Sequence, residues 1–147
     1  MTGSEKFQRT VSNRLLLWSV LSIAAGALLQ ATRSPFWRAF GQQAIGWGAI
    51  DAALALFGRR GLARKVQRGY APAEAATDLR NLRRLLWFNA GLDVLYVAGG
   101  LALFRRADET QRGHGAGIVL QGLFLFKFDA IHAFLAERVQ KTGEVDE

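Results

Sequence analysis

The sequence predicts an all-α membrane protein of four transmembrane helices, arranged as two tandem parallel hairpins. Three observations predict it. The apolar residues are gathered into four blocks of about 20, the length that a bilayer core requires of a helix. Basic residues crowd the ends of those blocks, far more densely on one side than on the other. The second and fourth blocks also share a polar register that reads as an internal repeat.

The first span, residues 15–32, is uncharged between Arg14 and Arg33. Its basic start and apolar run resemble a secretory leader. Leu29-Gln30-Ala31 is a poor small-x-small cleavage site, however, so the segment is expected to stay as a span. The second span, 39–58, carries one charge, Asp51. Gly69 and Pro72 then break the chain, and Pro72 suits the first turn of a helix. From there Ala76, Leu79, Leu82 and Leu86 recur at helical spacing among Arg80, Arg83 and Arg84. This predicts a short cytoplasmic or interfacial helix before the third span, lying near the headgroups or running straight into that span. The third span, 85–104, holds Asp93; the fourth, 113–136, holds Lys127 and Asp129 and is long enough to tilt. The polar tail from Thr142 to Glu147 is expected to fray.

At 147 residues the chain has room for one domain. Its mean hydropathy is only +0.09 because the apolar half of the residues is blocked, not dispersed. A soluble four-helix bundle would alternate polar and apolar faces every few residues. These segments are apolar nearly all round, which excludes that architecture.

Orientation follows from the cations. Lys6, Arg9 and Arg14 precede the first span. Arg59, Arg60, Arg64, Lys65, Arg68, Arg80, Arg83 and Arg84 separate the second from the third, and Arg138 and Lys141 follow the fourth. The opposite side has Arg33, Arg38, Arg105, Arg106 and Arg112. By the positive-inside rule both termini and the central loop are cytoplasmic, which for a bacterium means an inner (plasma) membrane location. The formal charge of +7 is thereby a topology signal; the basic central loop would meet anionic headgroups. No aromatic platform accompanies it, so nucleic acid is not expected as a partner.

The repeat aligns Gln43 through Ala52 with Gln121 through Ala130: each begins with Gln, reaches Asp eight positions on, and follows it with Ala. Leu16-Leu17-Trp18 and Leu85-Leu86-Trp87 open the preceding spans in the same way. Two spans per repeat means that both hairpins enter from one side, related by an axis along the membrane normal. Asp51 and Asp129 are then pseudo-equivalent. At 1.5 Å per residue each sits roughly 10 Å from the cytoplasmic end of its span, and Asp93 about 12 Å. All three carboxylates fall at one level.

Polar groups at such depth should face the bundle interior. The candidate intramembrane cluster is Gln43, Asp51, Asn89, Asp93, Gln121, Lys127, Asp129 and His132. Asn89 and Asp93 are four apart and share a helix face, and His132 shares that of Asp129. Lys127, two residues from Asp129, points away from it towards another helix or the interface. Small residues at Ser22 and Gly26, at Ala44, Gly48 and Ala52, and at Gly113 and Gly117 form close-packing stripes. They suit a neighbouring helix of the same chain first, and a second protomer or a membrane partner protein otherwise. Trp18, Trp37, Trp47 and Trp87 are read as an interfacial belt.

Several chemistries are excluded or unsupported. The chain has no cysteine, which removes disulfides, thiolate metal sites and cysteine nucleophiles. Its two histidines, His114 and His132, lie about 27 Å apart on one helix and cannot ligate one haem together. No Walker loop, dinucleotide fingerprint, nucleophile elbow or zinc-protease motif occurs, so no catalytic residues, metal or cofactor are assigned.

Asn89-Ala90-Gly91-Leu92-Asp93 with Tyr96 and Gly99, together with Gly117, Gln121-Gly122 and Phe128-Asp129, resembles a family of uncharacterised bacterial four-helix membrane proteins, a domain of unknown function. In the first half, Trp47 to Asp51 is similar to a Trp-Asn-x-x-Asn pattern in which Gly48 and Asp51 replace both asparagines. The resemblance implies the topology and no activity. Two functions are therefore expected from the residues themselves. The first is a non-enzymatic accessory or scaffold component whose polar interior holds the helices together. The alternative is a small proton- or cation-coupled transporter or channel that uses the intramembrane aspartates.

Overall fold

The computed structural model describes residues 2–145, and these fold into four helices: α1 (Gly3–Gln30), α2 (Pro35–Gln67), α3 (Pro72–Phe104) and α4 (Glu109–Val145). Several boundaries have a local cause. Thr2 accepts the Glu5 N–H to cap α1, and Ser34 caps α2 with Pro35 in the first turn. Gly69, at φ 87°, ends α2 in the left-handed conformation that only glycine adopts freely. Asp108 Oδ1 accepts the Gln111 N–H at 2.8 Å at the start of α4.

Among the described residues three helices, α1, α3 and α4, are long and apolar enough to cross a membrane. The fourth expected span, in α2, falls short because Gln42, Gln43 and Asp51 interrupt it. The outer surface is nonetheless apolar on every helix: Leu28 is 76 % exposed, Phe57 67 % and Leu95 67 %. With the three apolar helices, exposure of this extent is compatible with a membrane location.

No separate short helix precedes the third span; of the two placements expected for that segment, the structure has the one in which it runs straight into the span. α3 runs unbroken from Pro72 to Phe104, because neither Gly nor Pro interrupts the chain between Ala73 and Leu86. The other helices likewise outrun their apolar blocks: α1 starts twelve residues before Leu15, and α2 continues past Gly58 to Gln67. These extensions gather at one end of the bundle, where Phe7, Val11, Leu79, Phe128 and Ala136 make a small core. The polar tail expected to fray is helical as far as Val145; Asp146 and Glu147 lie outside the described residues.

α1 packs mainly along α2, and α3 along α4; α4 also lies against α2 and touches α1. The first two contacts depend on missing side chains. A Cβ on Gly41 would stand 2.7 Å from the Gly26 carbonyl oxygen, and one on Gly115 would stand 2.6 Å from that of Gly100. Gly113 and Gly117 do the same for α4 against Phe36 and Gln43 of α2. The small-residue stripes thus serve packing within the chain. α2 and α3 are the exception. Among the described residues none of their Cα atoms approach within 8 Å.

That gap is bridged at the loop end by a polar clamp. Lys65 of α2 donates to Asp78 of α3, and Tyr70 Oη donates to the same carboxylate oxygen at 2.7 Å. Gln8 of α1 donates to Tyr70 Oη at 3.1 Å, and Arg68 pairs with Glu74 at 3.2 Å. Burial alone would raise the Asp78 carboxyl, but the hydrogen bonds from Lys65 and Tyr70 outweigh it and hold it below its ordinary value. Lys65 is raised above its ordinary 10.5 by the hydrogen bond to Asp78. Burial, then the bond to Asp78, pushes Tyr70 up to about 12.

The Asp78 contribution is therefore complete above the ordinary carboxylate range and is lost as pH falls through its depressed value. The Lys65 contribution is complete below the ordinary lysine value and is lost as pH rises through its raised one. With the two side chains 22 % and 29 % exposed, Asp78→Asn should cost about 1 kcal/mol. Thermal unfolding of wild type and variant across pH checks this: the difference should be flat from about pH 5 to 10 and shrink at both extremes.

Candidate functional site

Where α2 and α3 stand apart, a cavity of about 180 Å³ opens in the apolar middle of the helices. Helix periodicity builds its walls. α2 contributes Trp47, Ile50, Asp51 and Leu54; α3 contributes Asn89, Leu92, Asp93 and Tyr96. Both sets are spaced i, i+3, i+4, i+7, one stripe of a helix facing its counterpart. α4 adds Leu125 and Asp129, four apart, and α1 adds Leu15. The three aspartates thus come from three helices and converge on one space. Trp47 and Tyr96 meet across it edge to face, with ring centroids 4.9 Å apart.

The carboxylates are buried without compensation. Asp51 and Asp93 are each 3 % exposed and Asp129 7 %. The Oδ2 atoms of Asp51 and Asp93 are buried and have no hydrogen-bond partner among the described residues. No Lys or Arg among those residues pairs with any of the three. A buried polar atom without a partner is costly, and native structures rarely keep one without a use.

The remaining candidates divide differently. Gln121, 2 % exposed, accepts the Trp18 indole N–H at 3.0 Å and donates to Ser22 Oγ at 3.4 Å, joining α4 to α1. Trp18 also stacks on Phe124 at 3.6 Å. Gln43 Nε2 lies 3.0 Å from His114 Nδ1, joining α2 to α4. The two glutamines that open the repeat are therefore interhelical links, while the aspartates that close it face the cavity.

His132 lies outside the cavity wall. Its Nδ1 is 2.6 Å from the Phe128 carbonyl, which as an acceptor places the proton on Nδ1. Nε2 is then free to accept from the Arg14 guanidinium at 3.2 Å. Lys127 is on the exposed outer face of α4, away from Asp129 as its two-residue offset requires. Among the described residues no group of three or more His, Asp or Glu side chains is disposed to hold a metal ion.

Trp47 and Tyr96 were legible as members of the site only through their offsets from Asp51 and Asp93. Trp47, which the sequence places in the interfacial belt, stands instead in the cavity wall, four residues before Asp51.

A family model described as a family of unknown function (DUF6992) matches residues 14–130. That stretch runs from one residue before the first cavity-lining side chain, Leu15, to one after the last, Asp129. No curated protein and no solved structure matches the chain.

Proposed function

We propose that this chain, which belongs to that family of unknown function, is a multi-pass membrane protein that binds a proton or small cation between α2, α3 and α4 and carries it across the bilayer. One observation carries the reading: three buried aspartates from three helices line a single cavity, and two of them keep an oxygen with no partner. Ionisable groups at such depth mark ion or proton pathways when they lack a structural partner. The scaffold reading accounts for Gln121 and Gln43, which link helices, and leaves Asp51 and Asp93 without a reason to be acidic.

In this reading α2 crosses with the other three helices. It joins α1 and α3 through turns of four residues each, at 31–34 and 68–71, so it shares their height, and its one charge within 39–58, Asp51, is buried. The four spans form two parallel hairpins in tandem, with both termini and the basic central turn at the cytoplasmic face of a bacterial inner membrane. There the arginines of the α2 and α3 extensions meet anionic headgroups, and lipid or a second copy covers the apolar outer face.

The test is flux. Proteoliposomes holding a pH- or cation-sensitive dye should respond to an imposed proton or monovalent-cation gradient faster than protein-free liposomes. Equal rates for every gradient tried would contradict the reading.

A further inference from the structure

We propose that the occupant of this cavity is a small organic ammonium cation, not a bare metal ion. The inference rests on the cation-binding reading above and names the class of cation. Size is the first argument. An apolar cavity of about 150 Å³ takes benzene, and a liquid water occupies about 30 Å³. A space of about 180 Å³ therefore suits a solute of about five to seven non-hydrogen atoms, far more than Na⁺ or K⁺ fills.

The lining is the second argument. A hard metal ion collects six or more oxygens at about 2.0–2.6 Å, and no side-chain group among the described residues is disposed to do so. The wall is instead mixed. Asp51 and Asp93 supply unpartnered, deeply buried carboxylate oxygens, while Ile50, Leu92 and Leu125 supply apolar surface. Trp47 and Tyr96 supply aromatic rings, held edge to face against each other. Carboxylates, methyl-lined walls and paired aromatic rings together are what an alkylammonium requires: charge compensation without tight coordination, apolar contact for its substituents, and cation–π attraction.

Access is the third argument. α2 and α3 come no closer than 8 Å between Cα atoms, and Ile50, Leu54 and Tyr96 are exposed at the rim. A cation bearing alkyl groups passes such a rim more readily than a hydrated inorganic ion, which must shed its water beside apolar side chains.

The probe is choline, measured on the purified full-length chain in detergent micelles by titration calorimetry and tryptophan fluorescence. Its neutral carbon isostere 3,3-dimethyl-1-butanol, phosphocholine, and NaCl, KCl and MgCl₂ at matched ionic strength are the comparisons. The expected result is saturable choline binding at least tenfold tighter than the isostere or any of the inorganic ions. Asp51→Asn should weaken it tenfold or more and Trp47→Leu three- to tenfold, with Trp37→Phe unchanged.

Binding of either choline or phosphocholine supports an ammonium site, and the ratio between them tells a free solute from a lipid headgroup. Choline no tighter than its isostere, or undiminished by Trp47→Leu, would overturn the proposal; these two comparisons decide it even where Asp51→Asn fails to fold. Saturable binding of Na⁺, K⁺ or Mg²⁺ without choline would overturn it while leaving the cation-binding reading in place. The absence of saturable binding by every cation, together with proteoliposomes no faster than empty ones, would remove both.

Discussion

Asp51→Asn should leave the protein folded, with an unfolding temperature equal to or above that of the wild type, while flux in proteoliposomes falls tenfold or more. The direction follows from what surrounds the carboxyl. Asp51 is 3 % exposed and its Oδ2 has no partner, so the isosteric amide breaks no ion pair and no hydrogen bond to that atom. Where α2 crosses the bilayer as proposed, an acidic group at its middle costs about 2.5–3.5 kcal/mol on insertion scales, an expense that marks a functional group. Asp93→Asn should behave in the same way. Were the aspartates interhelical glue, both substitutions would lower the unfolding temperature. Thermal unfolding and flux measured on one preparation separate the two outcomes.

The second large effect concerns the α1–α2 contact. Gly41→Val should lower the unfolding temperature markedly, whereas Gly46→Val, five residues further along the same helix, should change it little. A Cβ at residue 41 would stand 2.7 Å from both the Gly26 carbonyl oxygen and Gln30 Nε2, and 2.9 Å from the Leu29 Cβ. The first of these is backbone and yields only if the helices part. Overpacking of this kind costs about 1–3 kcal/mol, and more where no side chain can swing away. Around residue 46 nothing lies within 4 Å of the added atom. Equal effects from the two substitutions would mean that the small-residue stripe is not what sets the spacing of α1 and α2.

Most of this fold was legible because its signals are local. Apolar block length, Pro72 at a helix start and Gly69 at a turn are each readable from a few neighbouring residues. Helix rise alone puts Asp51, Asp93 and Asp129 at one level along the helices, and all three line one cavity. What could not be read depends on which helices touch. The end of the bundle formed by Phe7, Val11 and Leu79 hides among charges that suggest solvent, because its apolar positions come from several helices.

The separation of α2 from α3 has no marker in either helix, yet it creates the cavity. Hydrophobic pattern left two placements open for the start of α3, since Arg80, Arg83 and Arg84 interrupt apolarity without interrupting helix propensity. His132 illustrates the same limit. Its spacing allows it to face Asp129, and only the approach of Arg14 from α1 shows where its ring is held.

The proposed cation site requires that Asp51, Asp93 and Asp129 lie open to the cavity they line. Labelling with a lipid-soluble carbodiimide, followed by peptide mass spectrometry, tests it most directly, because the reagent modifies carboxyls it can reach from an apolar phase. The expected result is an adduct on the peptides carrying Asp51, Asp93 or Asp129, diminished when a bound cation is present. Labelling confined to acids at the helix ends, such as Glu74 and Glu137, with the three aspartates untouched, would contradict it.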